Sequence, residues 1–231
     1  MKLRWKYFII LLITGLVPMT AVTIISQKAS KKLGRKISDH TQNVLIDSVK
    51  REIVSATENY ALITRQAKSS LEFALQALKK EADIIMHQPS PGPSRMYFAK
   101  DFDNPTAAPK DLLPSKIHMK IMEDGRLLSK QISYQHPNFL LAPGVLHNNV
   151  QDDIKRLSRL SPALKGIAEE LDNSLFWIYT SLESGVHISY PGHGGYPSDY
   201  DPRLRPWYIR ARDQKGLTWG PPIVDTTTHQ L

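Results

Sequence analysis

The chain of 231 residues contains no cysteine, which excludes disulfide bonds and metal sites with thiolate ligands. It has eight histidines, but none shows the paired spacing of a zinc protease helix. It also lacks a phosphate-binding loop of the P-loop type and the serine elbow of the hydrolases. We therefore expect that the chain is not an enzyme and that it needs no cofactor and no metal.

Charge is absent from residues 7–25, which form a long apolar run. In a helix, roughly nineteen residues at 1.5 Å each approach the thickness of the hydrocarbon core of a membrane. The run is longer than the apolar centre of a typical signal peptide, and no clear small-residue cleavage site follows it. We therefore expect residues 7–25 to be an uncleaved transmembrane signal anchor.

The net charge of +8 has a local source beside this run. Basic residues precede and follow it: Lys2, Arg4, Lys6, then Lys28, Lys31, Lys32, Arg35 and Lys36. Such clusters beside a membrane span bind anionic lipid headgroups, so the membrane is the expected partner and nucleic acid is not. Because positive charge lies on both sides of the run, it leaves the orientation of the span open.

Proline is absent from residues 28–88, and the only glycine there is Gly34. Apolar residues recur at steps of three and four: Leu45, Val49, Ile53, Ala56, Tyr60, Ile63, Ala67, Leu71, Leu75, Leu78, Ala82 and Ile85. This spacing predicts one face of a single helix, roughly 90 Å long, which is too long for one face of a compact domain. We expect a long stalk helix over 28–88. Its part near the membrane, residues 38–57, either pairs with a second copy or packs only within its own chain.

Prolines are concentrated in residues 89–114, where they exclude a helix and a central strand. We therefore expect an irregular, solvated segment there. Asp101 and Asp103 lie in this segment, but no glycine and glutamate follow them at the spacing of a calcium-binding loop.

The rest of the chain alternates between strand-like and helix-like patterns. In order, it predicts a hairpin over 116–123 and 126–133, a helix over 151–171 that Pro162 divides, strands over 174–180 and 186–190, and a strand over 222–225. The whole sequence thus predicts an α+β fold. It comprises an N-terminal transmembrane helix, a long stalk helix and an antiparallel sheet module flanked by helices over 89–231.

Residues 200–208 combine arginine, tyrosine, tryptophan and proline in a mixture that few ordinary folding needs require. A guanidinium offers a planar fork for a carboxylate, and phenol and indole rings add rigid walls with one polar group each. Pro206 favours the start of a helix, whose free N–H groups also attract an anion. The pattern indicates a binding site for a small carboxylate. The alternative is a helix start held by an aromatic cluster, with surface arginines.

The same stretch resembles the ligand-binding region of double Cache (dCache) sensor domains of bacterial transmembrane receptors. The resemblance is carried by Tyr200, Arg205, Trp207, Tyr208 and Ala211 and by residues 219–225, which end at Asp225. The spacing Tyr-x4-Arg-x-Trp-Tyr is similar to that of the amino-acid-binding subgroup. The order of the predicted elements resembles the family over nearly the whole chain. This implies that residues 89–231 are a membrane-distal, PAS-like Cache module, incomplete at its C-terminus.

The resemblance also implies roles for single residues. Arg205 and Trp207 would hold the carboxylate of the ligand. Tyr200 and Asp225 would hold its amino group, and Tyr208 would help to shape the pocket.

One position departs from the pattern of the family. An aromatic residue often stands two positions before the aspartate, and this chain has Ile223 there. The substitution removes a hydroxyl donor from the expected pocket. The expected ligand is therefore a small molecule, either an amino acid or a related carboxylate or amine.

For function, the resemblance implies the extracytoplasmic ligand-sensing region of a bacterial signal-transduction receptor. It implies that residues 1–6 are cytoplasmic, that residues 7–25 cross the inner membrane once and that the body lies outside. It also implies a homodimer through the long helix. We further expect this chain to be the N-terminal part of a longer receptor, whose output is a chemotaxis signalling domain, a kinase, a cyclase or a phosphatase.

Two other functions stay open on the residues alone. One is an anchored extracytoplasmic hydrolase that uses His193 or Asp225, although no nucleophile and base stand at a recognisable spacing. The other is a structural coiled-coil adaptor, in which the long helix carries the function and residues 89–231 form a globular cap.

Overall fold

A computed structural model describes residues 3–92, 95–171, 175–214 and 216–230. The chain consists of two units, residues 1–67 and residues 68–231. Helices and strands both occur, which confirms the α+β class. Of the segment 1–6 that was expected to be cytoplasmic, residues 1 and 2 lie outside the described residues.

The described residues of the first unit are helical throughout and belong to helix α1 (Leu3–Met86), which continues through Pro18. Proline is tolerated in membrane helices, where local adjustments satisfy the freed backbone carbonyl. Helix α1 is long and apolar enough to cross a membrane, because its most apolar part has a mean hydropathy of 2.5. The predicted anchor at 7–25 and nearly all of the predicted stalk at 28–88 are thus one helix, which ends at Met86.

The second unit contains the end of α1 and all the strands of the described residues. Its further helices are α2 (Ala99–Phe102), α3 (Gln151–Ser158), α4 (Ser161–Glu170) and α5 (Pro206–Gln214). Its strands are β1 (Tyr97–Phe98), β2 (Leu113–Ile121), β3 (Leu127–Ser133), β4 (Asn138–Leu141), β5 (Ile178–Ser181), β6 (Val186–Tyr190) and β7 (Gly192–His193). A 3₁₀ turn, Pro202–Leu204, precedes α5.

The strands form two sheets rather than a single antiparallel one. The first sheet has the order β1-β4-β6-β5, in which β1 is parallel to β4 and the other neighbours are antiparallel. The second has the order β2-β3-β7 and is antiparallel. The chain passes from the first sheet to the second between Tyr190 and Gly192, so the loop after β7 begins where the two sheets adjoin.

The core of the second unit lies between the first sheet and helices α3 and α4. Four apolar residues of these helices and of the link between them are fully buried: Ile154, Leu157, Leu160 and Leu164. They form one cluster with Phe139 and Ile188 of the sheet and with Leu78 and Ile85 of α1. Pro162 lies in the first turn of α4, where its missing N–H costs nothing, so the predicted division of the 151–171 helix is confirmed.

Two further predictions of local structure are confirmed. Strands β2 and β3 are antiparallel and form a hairpin, and the turn between them contains Gly125 with φ +80°. The strand predicted over 186–190 is β6. Its expected partner at 174–180 is present as β5 but begins at Ile178, and Ser174 lies outside the described residues.

Two other predictions are wrong. No strand exists over 222–225, because two prolines precede Ile223 without N–H donors and the N–H of Asp225 bonds to the carbonyl of Gln230. The proline-rich segment 89–114 is not irregular throughout, because it contains β1 and α2 and the start of β2. The carboxylate of Asp101 accepts the N–H of Phe98, the residue before α2, at 2.7 Å and so stabilises the start of that helix.

Candidate functional site

A cavity of about 210 Å³ lies beside the loop that follows β7, the start of α5 and the segment after Ile223. The residues that line it are Phe176, Trp177, Tyr179, His187, Ser189, His193, Tyr196, Tyr200, Arg205, Trp207, Ile223, Val224, Asp225, Thr226 and Thr227. Aromatic side chains make up most of this wall, and it carries one cation and one carboxylate. Such walls suit a small ligand that has an apolar part and a few charged or polar groups.

A row of stacked rings forms one side of the cavity. The indole of Trp177 lies between the imidazoles of His118 and His193, with ring centroids 4.0 and 3.9 Å apart. His193 stacks on Tyr196 at 4.7 Å, and the Tyr196 ring lies 5.1 Å from that of Tyr200. This continuous packing makes a rigid wall, because each ring limits the rotation of the next.

Two glycines place His193 and Tyr196 in that wall. The N–H of Gly195 donates to Oδ2 of Asp103 at 3.0 Å, and Gly195 has φ +76°, a conformation that side chains disfavour. A Cβ built on Gly194 would overlap Oδ1 of Asp103. The loop can therefore approach Asp103 only because both positions are glycine, and this approach sets the position of the two rings.

The histidines of the cavity are neutral. Nδ1 of His193 lies 2.9 Å from the carbonyl oxygen of Gly194, which can only accept, so Nδ1 carries the hydrogen and Nε2 accepts from the Tyr196 hydroxyl at 2.9 Å. Burial holds the pKa of His193 well below its ordinary value, helped by the charge of Lys130. Burial also lowers the pKa of His187 to about 3. The deep part of the cavity thus carries no positive charge at neutral pH.

The tyrosines of the cavity keep their protons. Burial raises the pKa of Tyr200 to about 12, although the nearby Arg205 opposes the shift. Burial likewise raises the pKa of Tyr179 and of Tyr196. All three hydroxyls are therefore able to donate hydrogen bonds over the physiological pH range.

Arg205 is the cation of the cavity, and it directly precedes α5. One of its nitrogens, Nη2, donates to Oγ1 of Thr226 at 2.9 Å, and its guanidinium lies 5.5 Å from the ring of Tyr200. Within the described part of the chain, no carboxylate forms an ion pair with it, whereas the neighbouring Arg203 pairs with Asp201 at 2.7 Å. Arg205 thus keeps unused donors beside the cavity.

Asp225 is the carboxylate of the cavity, and most of its acceptor capacity is already used. Oδ1 accepts the backbone N–H and the hydroxyl of both Thr227 and Thr228, at 2.7 to 3.0 Å. Oδ2 accepts the indole N–H of Trp177 at 3.1 Å. Asp225 therefore fixes the turn at 225–228, and the acceptor capacity left for a ligand lies on Oδ2.

Four of the five residues predicted from the motif line this one cavity: Tyr200, Arg205, Trp207 and Asp225. Tyr208 is not among the lining residues, and its ring contacts that of Trp207 edge-on at 6.0 Å. Tyr208 therefore adjoins the cavity only through Trp207.

Several lining residues were not predicted to belong to the binding site, chiefly Tyr179, His187, His193 and Tyr196; of these, only His193 was considered, as a residue of a hydrolase. Residues 176–179 lie within the predicted strand over 174–180, and no binding role was predicted for the glycine-rich loop at 191–197. The feature of the sequence that could have indicated this loop is the pair Gly194 and Gly195 between His193 and Tyr196, because adjacent glycines often allow another part of the chain to approach the backbone closely. Among the described residues, no three side chains come together as a metal site.

A scan against protein-family models finds no match to this chain, and a search of curated proteins finds no relative. The chemistry of the cavity and the motif at residues 200–208 are therefore the grounds for inferring a function.

Proposed function

We propose that the chain is the extracytoplasmic ligand-sensing region of a bacterial transmembrane receptor of the double Cache type. Its ligand is a small zwitterion, an amino acid or a related molecule with a carboxylate. The observation that carries this proposal is the guanidinium of Arg205, which has no carboxylate partner in the described chain and lies in an aromatic cavity that also holds Asp225.

The size of the cavity favours a metabolite over a larger ligand. Its volume of about 210 Å³ corresponds to roughly seven water molecules at about 30 Å³ each. Pockets for drug-sized ligands are larger, from about 300 to 1,000 Å³. A molecule of amino-acid size is the class that this space accommodates.

The two charges of the cavity suit the two ends of a zwitterion. Arg205 would hold the carboxylate with its free guanidinium donors, beside the indole of Trp207. The ammonium group would lie near Oδ2 of Asp225 and the ring of Tyr200, which attracts a cation through its face. Because the histidines of the deep wall are neutral, the remainder of the ligand would be uncharged.

Helix α1 supplies the proposed attachment to the membrane and to a second copy. We assign residues 7–25 as the anchor in the inner membrane, residues 1–6 to the cytoplasm and the body to the outside. Leu45, Val49 and Ile53 are exposed at helical spacing, which favours a homodimer in which a second copy covers them. Ligand capture would shift the equilibrium between two arrangements of this receptor.

A hydrolase is the second candidate, because Oγ of Ser181 lies 2.7 Å from Nδ1 of His187. A serine nucleophile needs a base that takes its proton near neutral pH. Burial lowers the pKa of His187 to about 3, so this imidazole is a very weak base. Ser181 also does not line the cavity. These observations favour binding over catalysis.

The proposal is tested by a thermal-unfolding screen of the full chain in lipid nanodiscs. The panel contains the amino acids, small monocarboxylates and simple amines. A sensor gains stability from the ligand that it binds, by about 2.7 kcal/mol at a hundredfold excess over Kd. At least one zwitterionic member should raise the unfolding temperature. A panel without any stabilising member contradicts the proposal and favours the adaptor, and hydrolysis of ester or peptide substrates by the same sample favours the enzyme.

A further inference from the structure

A second cavity, of about 500 Å³, lies in the unit of residues 68–231. It is bounded by the end of α1, by α5 and by the segment 216–223. The side chains around it are mostly apolar: Leu71, Ala74, Leu75, Leu78, Ile167, Leu175, Pro206, Ala211, Leu217, Trp219, Pro221 and Ile223. Its volume falls in the range of pockets that enclose a drug-sized molecule.

One edge of this second cavity is fixed by Trp219. Its indole N–H donates to Oε1 of Glu72 at 2.6 Å, and Lys68 lies over its ring at 5.6 Å. Lys68 and Glu72 also form an ion pair of 3.7 Å. The charges at this edge therefore satisfy one another, and the indole presents a wall of defined position.

The remaining cation of the second cavity is Arg210, on α5. Its guanidinium lies directly against the backbone of Gly220, where a Cβ would overlap Nη1. An alanine methyl at that position would therefore displace the guanidinium from where it lies. Across the described residues, Arg210 has neither a hydrogen bond nor an ion pair with another side chain, although it is half-buried.

We propose that this second cavity is a separate binding site for an amphipathic carboxylate, a molecule with one carboxylate and an aryl or alkyl body. The body would fill the apolar space, and the carboxylate would pair with the guanidinium of Arg210. The charge supports this occupant, because an unpaired guanidinium at an apolar cavity is complementary to one anionic group. The two cavities adjoin, because four residues line both: Trp177, Tyr179, Trp207 and Ile223. The proposed site differs from the zwitterion site in its cation, which is Arg210 instead of Arg205.

The test is calorimetric titration of the full chain in lipid nanodiscs with 4-phenylbutyrate, after subtraction of the heat with empty nanodiscs. We expect saturable binding to the unchanged chain. Arg210→Gln should weaken it about tenfold or more, the effect of losing a hydrogen bond to a charged group. The uncharged 4-phenylbutyramide should bind the unchanged chain as weakly as 4-phenylbutyrate binds Arg210→Gln. Gly220→Ala, which displaces the guanidinium, should also weaken binding.

Two variants serve as controls. Arg212→Gln removes an exposed arginine of the same helix that pairs with Asp213. Arg205→Gln removes the cation of the first cavity. Both should bind 4-phenylbutyrate as the unchanged chain does, and circular dichroism checks that every variant is folded.

Four results would overturn the second site. The first is the absence of saturable heat above that of empty nanodiscs. The second is equal affinity in Arg210→Gln, and the third is loss of binding in Arg205→Gln, which would place the probe in the first cavity. The fourth is a dimer of the unchanged chain that Leu217→Asp converts into a monomer. That result would mean that a second copy covers the second cavity, and the proposal would be wrong. None of these results changes the outcome expected from the amino-acid screen.

Discussion

The indole N–H of Trp177 donates a hydrogen bond of 3.1 Å to Oδ2 of Asp225. This bond joins the row of stacked rings to the turn at 225–228, where Oδ1 of the same carboxylate accepts four further hydrogen bonds. One residue thus determines the shape of the cavity wall and supplies its negative charge.

Asp225→Ala should therefore affect stability as well as binding. The substitution leaves the N–H groups of Thr227 and Thr228 without acceptors, at a cost of about 2 kcal/mol. For a chain of this size we expect the unfolding temperature of the full chain in nanodiscs to fall by about 4–8 °C. Asp225→Asn keeps one carbonyl acceptor and should lose less than half as much. Equal unfolding temperatures for the unchanged chain and Asp225→Ala would contradict this role.

Gly194→Ala and Gly166→Ala should change stability in opposite directions. At Gly194 the added methyl would overlap the carboxylate of Asp103, and relief of such a clash costs about 1–3 kcal/mol. Gly166 lies within α4 with nothing within 4 Å of an added methyl, so alanine there should stabilise by about 0.5–1 kcal/mol. Unfolding temperatures of the two variants check the prediction, and shifts of the same sign would contradict it.

Acid should destabilise the second unit through its buried histidines. Burial lowers the pKa of His187 to about 3, whereas its ordinary value is 6.5. Between these values the unfolded chain binds a proton that the folded chain does not, so stability is complete above pH 6.5 and falls as the pH drops. His187→Gln should lose less stability than the unchanged chain between pH 7.5 and pH 5.0. Thermal unfolding at the two pH values measures this, and equal losses in both chains would contradict it.

The absence of cysteine allows a clean test of the homodimer. Val49 lies on the exposed apolar stripe of α1, and Arg51 lies roughly 200° around the helix from Val49. Each is replaced by cysteine in a separate variant. In a homodimer through the stripe, oxidation in native membranes should cross-link Val49→Cys efficiently and Arg51→Cys poorly, because a disulfide needs Cα atoms about 4.4–6.8 Å apart. Equal cross-linking at both positions, or none at Val49→Cys, would contradict the proposed interface.

Local signals were enough to predict several elements. The hairpin of β2 and β3 followed from a glycine turn between two strand-like runs, and Pro162 marked the start of α4. Strand β1 could not be predicted, because two residues carry no pattern and its hydrogen bonds come from β4, distant in the chain. The loss of the strand at 222–225 likewise depends on a bond between Asp225 and Gln230.

The site was predictable only where its residues are close in sequence. Tyr200, Arg205 and Trp207 belong to one motif, and all three line the cavity. His118 and Trp177 stack on each other although they are far apart in the sequence. His187 lines the cavity only because its side chain lies on the face of β6 that is turned toward the cavity. Spacing along the chain contains no information on such contacts.

The most direct measurement concerns Arg205. Calorimetric titration of the full chain in nanodiscs would use the zwitterion that gives the largest thermal shift in the screen. For Arg205→Ala we predict affinity at least about tenfold lower with an unchanged unfolding temperature in the absence of ligand, and for Arg212→Ala unchanged affinity. If Arg205→Ala binds the zwitterion as tightly as the unchanged chain does, Arg205 does not hold the carboxylate and the proposed sensor site is wrong.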